Sequence, residues 1–197
     1  MAYQAEKNIA LEPYLAREAD LLAVCDVVNS AYCSGQALVS WKNAPGQTGG
    51  QRVSLGELES MLSSSTRQLL VIKDDREDGR SEAIGCVLVE RNSDGVYFSM
   101  LAVSLRYQNQ GLGRRLVALA EECALDSFGA EELKAKVLPE RTDLTSWYLR
   151  LGYEKSSHCV PFNSRDTSQI KTESQFFIEI SKPLAKLKNS SQPSGIS

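Results

Sequence analysis

The apolar positions of this chain switch repeatedly between a spacing of two and a spacing near 3.6, and each switch marks an element. Ile9 to Leu15 reads as a short strand. From about Arg17 to Tyr32, Leu21, Val24, Val27 and Val28 share one helical face. Gly35 to Gln51 is rich in Gly, Asn and Pro and reads as loop. Ser54 and Glu57 have capping-box spacing ahead of Leu58, Met61 and Leu62, so a second helix starts there. Gln68 to Lys73 is a strand followed by a charged hairpin connection. Ala83 to Arg91 and Val96 to Val103 are two more strands, joined by a tight turn at Asn92 to Gly95. The longest helix runs from Gly111 to Phe128. Leu112, Leu116, Leu119, Ala120, Cys123 and Ala124 line one side of it, and Gly129 ends it. Glu132 to Leu138 alternates as a strand through Leu133, Ala135 and Val137. Thr142 or Asp143 caps a helix to about Leu151, stopped by Gly152, and Gln175 to Ile180 is the last strand. The order β-α-α-β-β-β-α-β-α-β predicts an α/β domain. Its mixed, mostly antiparallel sheet carries one β-α-β crossover and is flanked by about four helices.

Composition narrows this picture. A chain of 197 residues, 42% hydrophobic, suits one domain with a real core. Residues 1–7 are expected to be flexible and the Ser-, Pro- and Gly-bearing stretch from Lys186 to Ser197 disordered, leaving a single domain over 8–185. A net charge of -3 with scattered basic residues offers no footprint for nucleic acid or an anionic membrane. No apolar run approaches the ~20 residues of a membrane span. The first residues carry acids and no apolar core of a signal peptide, so the expected location is the cytoplasm. Five cysteines are spread out without a CxxC pair, and His158 is the one histidine. No metal site is expected, and the thiols read as small buried hydrophobes.

The candidate chemistry lies where the strand ending at Val103 passes through Gln108-Asn-Gln-Gly111-Leu-Gly113 into the longest helix. Gly111 and Gly113 leave the first helical turn without Cβ atoms, so a ligand can approach the backbone. The first amides of a helix lack internal partners and sit at the positive end of its dipole, which makes a phosphate site. Arg114 adds charge. Glycines that merely let a helix start close to its neighbours are the competing reading. The spacing fits neither a Rossmann fingerprint nor a Walker loop.

Leu101-Ala-Val103 followed by Gln108-x-x-Gly111-x-Gly113 resembles motif A of the GNAT superfamily of acyl-CoA-dependent N-acyltransferases. Leu144-Thr-Ser-Trp-Tyr148-Leu-Arg-Leu-Gly152-Tyr153 resembles its motif B, with one strand between the two. The resemblance spans roughly Ile9 to Pro183. Val28-Asn-Ser-Ala-Tyr32, Gly50-Gln-Arg52, Arg141-Thr-Asp-Leu144 and Val160-Pro-Phe162 are similar to one bacterial and fungal branch. The resemblance implies acetyl-CoA as co-substrate. It places Leu101, Ala102, Val103, Gln108, Asn109, Gln110, Gly111, Leu112, Gly113, Arg114 and Leu144 around it. Departures fall mostly on the acceptor side. Arg141 stands where many relatives carry Asn, Tyr97 where many carry a basic Glu, and Cys33 where the branch often has Arg.

The implied reaction moves an acetyl group to a primary amine of a small molecule by direct transfer. Tyr148 is the implied proton donor to the thiolate, since a phenol with pKa near ~10 is protonated at pH 7. A backbone amide near Ala102 or Val103 would hold the oxyanion. Glu90 acting through water is the candidate base and Tyr97 the second, although approximation supplies much of such a rate. Tyr32, Trp41, Arg52, Tyr97 and Phe162 are the candidate acceptor lining. Aromatics with few acids favour a neutral or aromatic amine over a polyamine. His158 reads as structural or exposed, with an acceptor contact as the alternative; Cys33 as an acyl carrier conflicts with direct transfer. The competing functions are a GNAT using a longer acyl donor and a degenerate CoA-binding domain acting as sensor or interaction module. The sequence leaves monomer and homodimer open.

Overall fold

The strand residues Leu69 and Val71 are as apolar as their neighbours Leu70 and Ile72, so this strand has to be covered on both faces. In the computed structural model Leu70 and Ile72 join one core and Leu69 and Val71 another, on opposite sides of one sheet. The structure describes residues 13–32, 51–75, 81–161 and 176–185. The expected loop over Gly35 to Gln51, the start of the first strand and both chain ends lie outside the described residues.

The strands are β1 (Tyr14–Leu15), β2 (Arg67–Asp75), β3 (Ser81–Asn92), β4 (Gly95–Val103), β5 (Glu132–Val137), β6 (Glu154–Pro161) and β7 (Phe176–Pro183). The helices are α1 (Leu21–Tyr32), α2 (Leu55–Leu62), α3 (Leu112–Phe128) and α4 (Thr142–Arg150). They build a seven-stranded sheet in the order β1-β2-β3-β4-β5-β7-β6. Only β4 and β5 run parallel, linked by the α3 crossover; the other neighbours are antiparallel. The α/β class, the mixed sheet and the crossover agree with the chain's pattern. No described helix is long and apolar enough to cross a membrane.

Local signals mostly predict the element ends. Glu57 Oε2 accepts from the Ser54 N–H at 2.8 Å while the Glu57 N–H donates back to Ser54 Oγ at 3.4 Å, a reciprocal cap that starts α2. α1 begins later than the expected Arg17. Glu18–Asp20 forms a 3-10 turn there, held by the Arg17 N–H donating to Asp20 Oδ2 at 2.8 Å. The pattern-based order lacked β6. Its segment Glu-Lys-Ser-Ser-His-Cys-Val-Pro is mostly polar and lies at the sheet edge against β7, where an apolar run is not required.

Two irregularities in β4 shape the functional region. Cys86 pairs with Ala102 but Leu88 with Ser99, so β4 carries one extra residue, a bulge. Met100 sits in it at φ 50°, a left-handed conformation costing about 1–2 kcal/mol for a residue with a Cβ. The extra residue reverses which side chains face which core. Val96 and Phe98 face α3, while Met100 and Ala102 face α1. The second irregularity is that β4 and β5 pair only at Val96 with Leu133 and Tyr97 with Lys134. Beyond these pairs β5 keeps its partnership with β7, from Glu132 with Pro183 to Val137 with Ile178. The two parallel strands therefore part.

Candidate active site

The parting of β4 and β5 opens a cleft of about 1100 Å³. One wall is β4 from Tyr97 to Val103, and the other is β5 from Ala135 with Leu138 beyond it. α4 supplies Leu144, Trp147 and Tyr148, and α1 supplies Ala31 and Tyr32. From Val103 to Tyr97 the cleft follows roughly 20 Å of strand at ~3.3 Å per residue. The Ser104 N–H donates to Ile84 O at 2.8 Å, towards β3. By strand alternation the Ala102 amide also faces β3, and the Val103 amide faces the cleft.

The α3 N-terminus stands at the Val103 end. Asn109 (φ 61°) and Gly111 (φ 82°) both take left-handed backbone, which curls the loop tightly before the helix. Gly111 is the N-cap, and no side chain caps it. The Arg115 N–H makes the first helical bond, to Gly111 O at 3.1 Å, so the amides of Leu112, Gly113 and Arg114 precede any internal acceptor. A Cβ on Gly111 would meet no heavy atom within 4 Å, which leaves open space beside that backbone. Gln108 Nε2 closes the loop onto Val103 O at 3.1 Å. The uncapped amides, the open space and Arg114 fit a diphosphate.

The turn that leads into this loop is itself anchored. The Tyr107 hydroxyl donates to Asp74 Oδ2 at 2.5 Å, and Asp74 is buried on β2. Tyr107→Phe leaves a buried carboxylate without this partner, at a cost of about 1–3 kcal/mol. The expected outcome is a lower Tm and a severalfold weaker acyl-CoA Kd with kcat at saturation unchanged, read by thermal melting and steady-state kinetics.

Tyr148 lies in the middle of the cleft wall. Its ring packs edge-on against Phe98 (5.5 Å between centroids), Trp147 (4.9 Å) and Tyr153 (5.7 Å). This packing fixes the ring, and its burial pushes the phenol pKa well above the ordinary tyrosine value. Tyr32 nearby raises it further, and Arg141 opposes the shift. The group is therefore held in its protonated form.

Glu90, Asn92, Tyr97 and Lys136 line the far end. Arg67 Nε donates to Glu90 Oε2 at 3.2 Å. The Tyr97 hydroxyl is shared between Glu179 Oε2 at 2.8 Å and Asp94 Oδ2 at 2.9 Å. Burial and these two carboxylates raise the Tyr97 pKa strongly, so it is a poor proton acceptor. The Arg52 guanidinium lies over the Tyr32 ring at 5.3 Å from its centroid.

Of the residues singled out by sequence, Tyr32, Glu90, Tyr97, Leu101, Ala102, Val103, Gln108, Asn109, Gly111, Gly113, Arg114, Leu144 and Tyr148 line this one cleft. Two side chains do not. Leu112 turns into the core beneath α3, and the Gln110 amide folds back onto Arg106 O at 3.0 Å. Cys33, Trp41 and Phe162 lie outside the described residues, as does the side chain of His158. Lys136, Ser99 and Trp147 were not anticipated. Lys136 alternates with Ala135 and Val137 and so was visible as an off-core position, but not which space it faces. Cys86 is buried under the bulge, and burial pushes its thiol up to about 12, which makes it inert. Among the described residues no cluster of three His, Cys, Asp or Glu forms a metal site.

Residues 65–155, from β2 to the start of β6, match the family model of the acetyltransferase (GNAT) domain. No curated protein sequence is significantly similar to the chain. Among solved structures, the chain resembles a GNAT superfamily phosphinothricin acetyltransferase from Sinorhizobium meliloti in complex with acetyl-CoA. The TM-score is 0.62 at 14% identity, over 94% of this chain and 95% of that one. It also resembles spermidine N-acetyltransferase from Vibrio cholerae in complex with CoA and spermine, with a TM-score of 0.62 at 18% identity over 90% and 97% of the two chains. A third is the ribosomal-protein-S18-alanine N-acetyltransferase from Escherichia coli, with a TM-score of 0.59 at 15% identity over 92% and 99%. At such identities the likeness speaks to the fold, which these proteins share over nearly their whole length. The matched family segment contains the bulged β4, the glycine loop, the crossover helix and α4, and over these residues the chain is similar to the GNAT acetyltransferase domain.

Proposed function

We propose that the protein transfers an acetyl group from acetyl-CoA directly to a primary amine of a small molecule. The observation that carries this reading is the parted β4–β5 pair, with uncapped helix amides at one end and the buried Tyr148 phenol in its wall. The α3 amides and Arg114 hold the diphosphate, and the open edge of β4 around Leu101 and Val103 holds the arm that carries the thioester. The neutral amine attacks the thioester carbonyl, whose oxygen charge is met by a cleft-facing β4 amide. The C–S bond then breaks, and the Tyr148 proton goes to the departing sulfur. Glu90 Oε2 is engaged by Arg67, and its other oxygen takes the amine proton through water. Holding amine and thioester side by side supplies much of the acceleration. The neighbours named above, two of them solved with acetyl-CoA or CoA, are N-acetyltransferases or an acetyltransferase by name and lend weight to the amine acceptor.

Thiol release from acetyl-CoA across an amine panel tests the proposal, with thermal shifts by acetyl-CoA, free CoA and longer acyl-CoAs alongside. Amine-dependent release and stabilisation by acetyl-CoA are expected. Stabilisation without release from any amine would assign the domain to CoA sensing, and stronger shifts with longer chains would change the donor. No shift at millimolar ligand would overturn the proposal.

A further inference from the structure

We propose that Tyr97 is a positioning residue for the acceptor step. Tied to Glu179 and Asp94, it holds the far end of the cleft, and with it Glu90, in place. This rests on the acetyl-transfer reading above and concerns the same cleft.

Tyr97 stands where the sheet begins to open. It is the last residue of β4 to pair with β5, opposite Lys134, before the two strands part. On its other side it pairs with Glu90 of β3, which pairs in turn with Arg67 of β2. Directly opposed residues share one face of a sheet. Arg67, Glu90, Tyr97 and Lys134 therefore form a row across four strands. Within this row, Glu90 and Tyr97 line the cleft.

The Tyr97 side chain extends the row over β5 to the next strand. Its ring lies beside both lysines there, with Lys136 Nζ 4.8 Å and Lys134 Nζ 5.8 Å from the centroid. Its hydroxyl is shared between Glu179 Oε2 on β7, at 2.8 Å, and Asp94 Oδ2 in the turn between β3 and β4, at 2.9 Å. Lys134 supports both attachments: its Nζ lies 3.7 Å from Glu179 Oε1 and donates to Asp94 O at 3.5 Å. One buried phenol thus ties the β3–β4 turn, β4 and β7 together across β5.

The backbone alone holds this point weakly. Two register pairs join β4 to β5, against six between β5 and β7. A side chain fastened on the far side of β5 resists further parting of the strands. Cβ atoms of directly opposed residues lie about 4.5–5.5 Å apart, so a shift of Tyr97 moves the surface beside the Glu90 carboxylate. The glycine loop follows the other end of β4, and Tyr107 and Asp74 anchor it separately. Loosening Tyr97 therefore disturbs the acceptor step and spares donor binding.

The test uses the full chain, thiol release with the best amine of the panel, and calorimetric titration of acetyl-CoA. Tyr97→Phe keeps the ring and removes only the hydroxyl. It is expected to lower kcat/KM for the amine about tenfold, with the Kd of acetyl-CoA within twofold of wild type. Glu179 does not line the cleft, so its variants report on the link itself. Glu179→Gln keeps an oxygen that accepts from the phenol and is expected to stay within about threefold of wild type. Glu179→Leu should reproduce the loss seen in Tyr97→Phe, and the double variant should be no worse than either single one. Asp94 is exposed in its turn, so Asp94→Ala, with an expected loss of at least twofold, keeps the test valid if Glu179→Leu fails to fold. Three outcomes would overturn the inference alone while acetyl transfer stands. They are unchanged amine kinetics in Tyr97→Phe, effects that multiply in the double variant, and a fall in kcat of a hundredfold or more with amine KM unchanged, which would make Tyr97 a base. Failure to bind acetyl-CoA, or no turnover of any amine, would overturn it together with the reading beneath it.

Discussion

Tyr148→Phe lowers kcat for acetyl transfer at least tenfold and leaves the Kd of acetyl-CoA nearly unchanged. A positioned general acid contributes about 10²–10⁴-fold, and a thiolate leaves more readily than an alkoxide, which puts the expectation near the lower end. The ring itself is held by Phe98, Trp147 and Tyr153, so phenylalanine preserves the packing and removes only the hydroxyl. An equal fall in kcat and kcat/KM is the signature of an interaction made only in the transition state. The pH profile supplies an independent check. Burial raises the Tyr148 pKa, with Tyr32 adding to the shift, so the acid stays protonated while the substrate amine loses its proton. The wild-type rate should rise with pH as the amine becomes neutral, without a falling limb below the ordinary phenol value near ~10. The variant should keep the rising limb on a lower plateau. Unchanged turnover in the variant, or a wild-type falling limb at neutral pH, would remove Tyr148 from the acid role.

Gly113→Val raises the Kd of acetyl-CoA by about tenfold or more, because it closes the backbone surface that a diphosphate has to reach. A Cβ at this position would lie 3.5 Å from Trp147 Cζ2, an ordinary contact, so alanine fits. The extra methyl groups of valine have the indole on one side and the α3 amides on the other. Valine and glycine differ by only a few tenths of a kcal/mol in a helix, so the fold survives and the loss belongs to the ligand. Calorimetric titration should show a graded series, wild type tighter than Gly113→Ala and that tighter than Gly113→Val. At saturating donor the kcat of Gly113→Val should be close to wild type. Equal affinities across the series would mean that the glycine serves only the packing of α3 against α4.

Part of this site was legible without coordinates because its chemistry is local. The Ser54–Glu57 cap joins positions three apart, and the glycine loop, the helix it opens and Tyr148 four residues before Gly152 are all short-range patterns. The crossover followed from strand and helix order alone. β6 escaped because an edge strand needs only backbone pairing, and its polar residues leave no apolar pattern to read. The cysteines read as buried hydrophobes are so for Cys86 and Cys123, while Cys25 is half-buried.

The far end of the cleft, around Glu90 and Tyr97, depends on contacts across the chain. Glu90, the candidate base, is held through one carboxylate oxygen by Arg67, its register partner on β2, a contact that no local pattern shows. Tyr97 looked like a second base until Glu179, 82 positions away, was found at its hydroxyl. Hydrophobic periodicity, caps and glycines act over a turn or a strand pair, so the sequence by itself determined the elements, their order and the glycine loop. The bulge at Met100, the two-pair contact of β4 with β5 and the cleft-facing side of Lys136 arise only after distant strands pair. Tertiary structure therefore decided where the sheet opens and which charges face that opening.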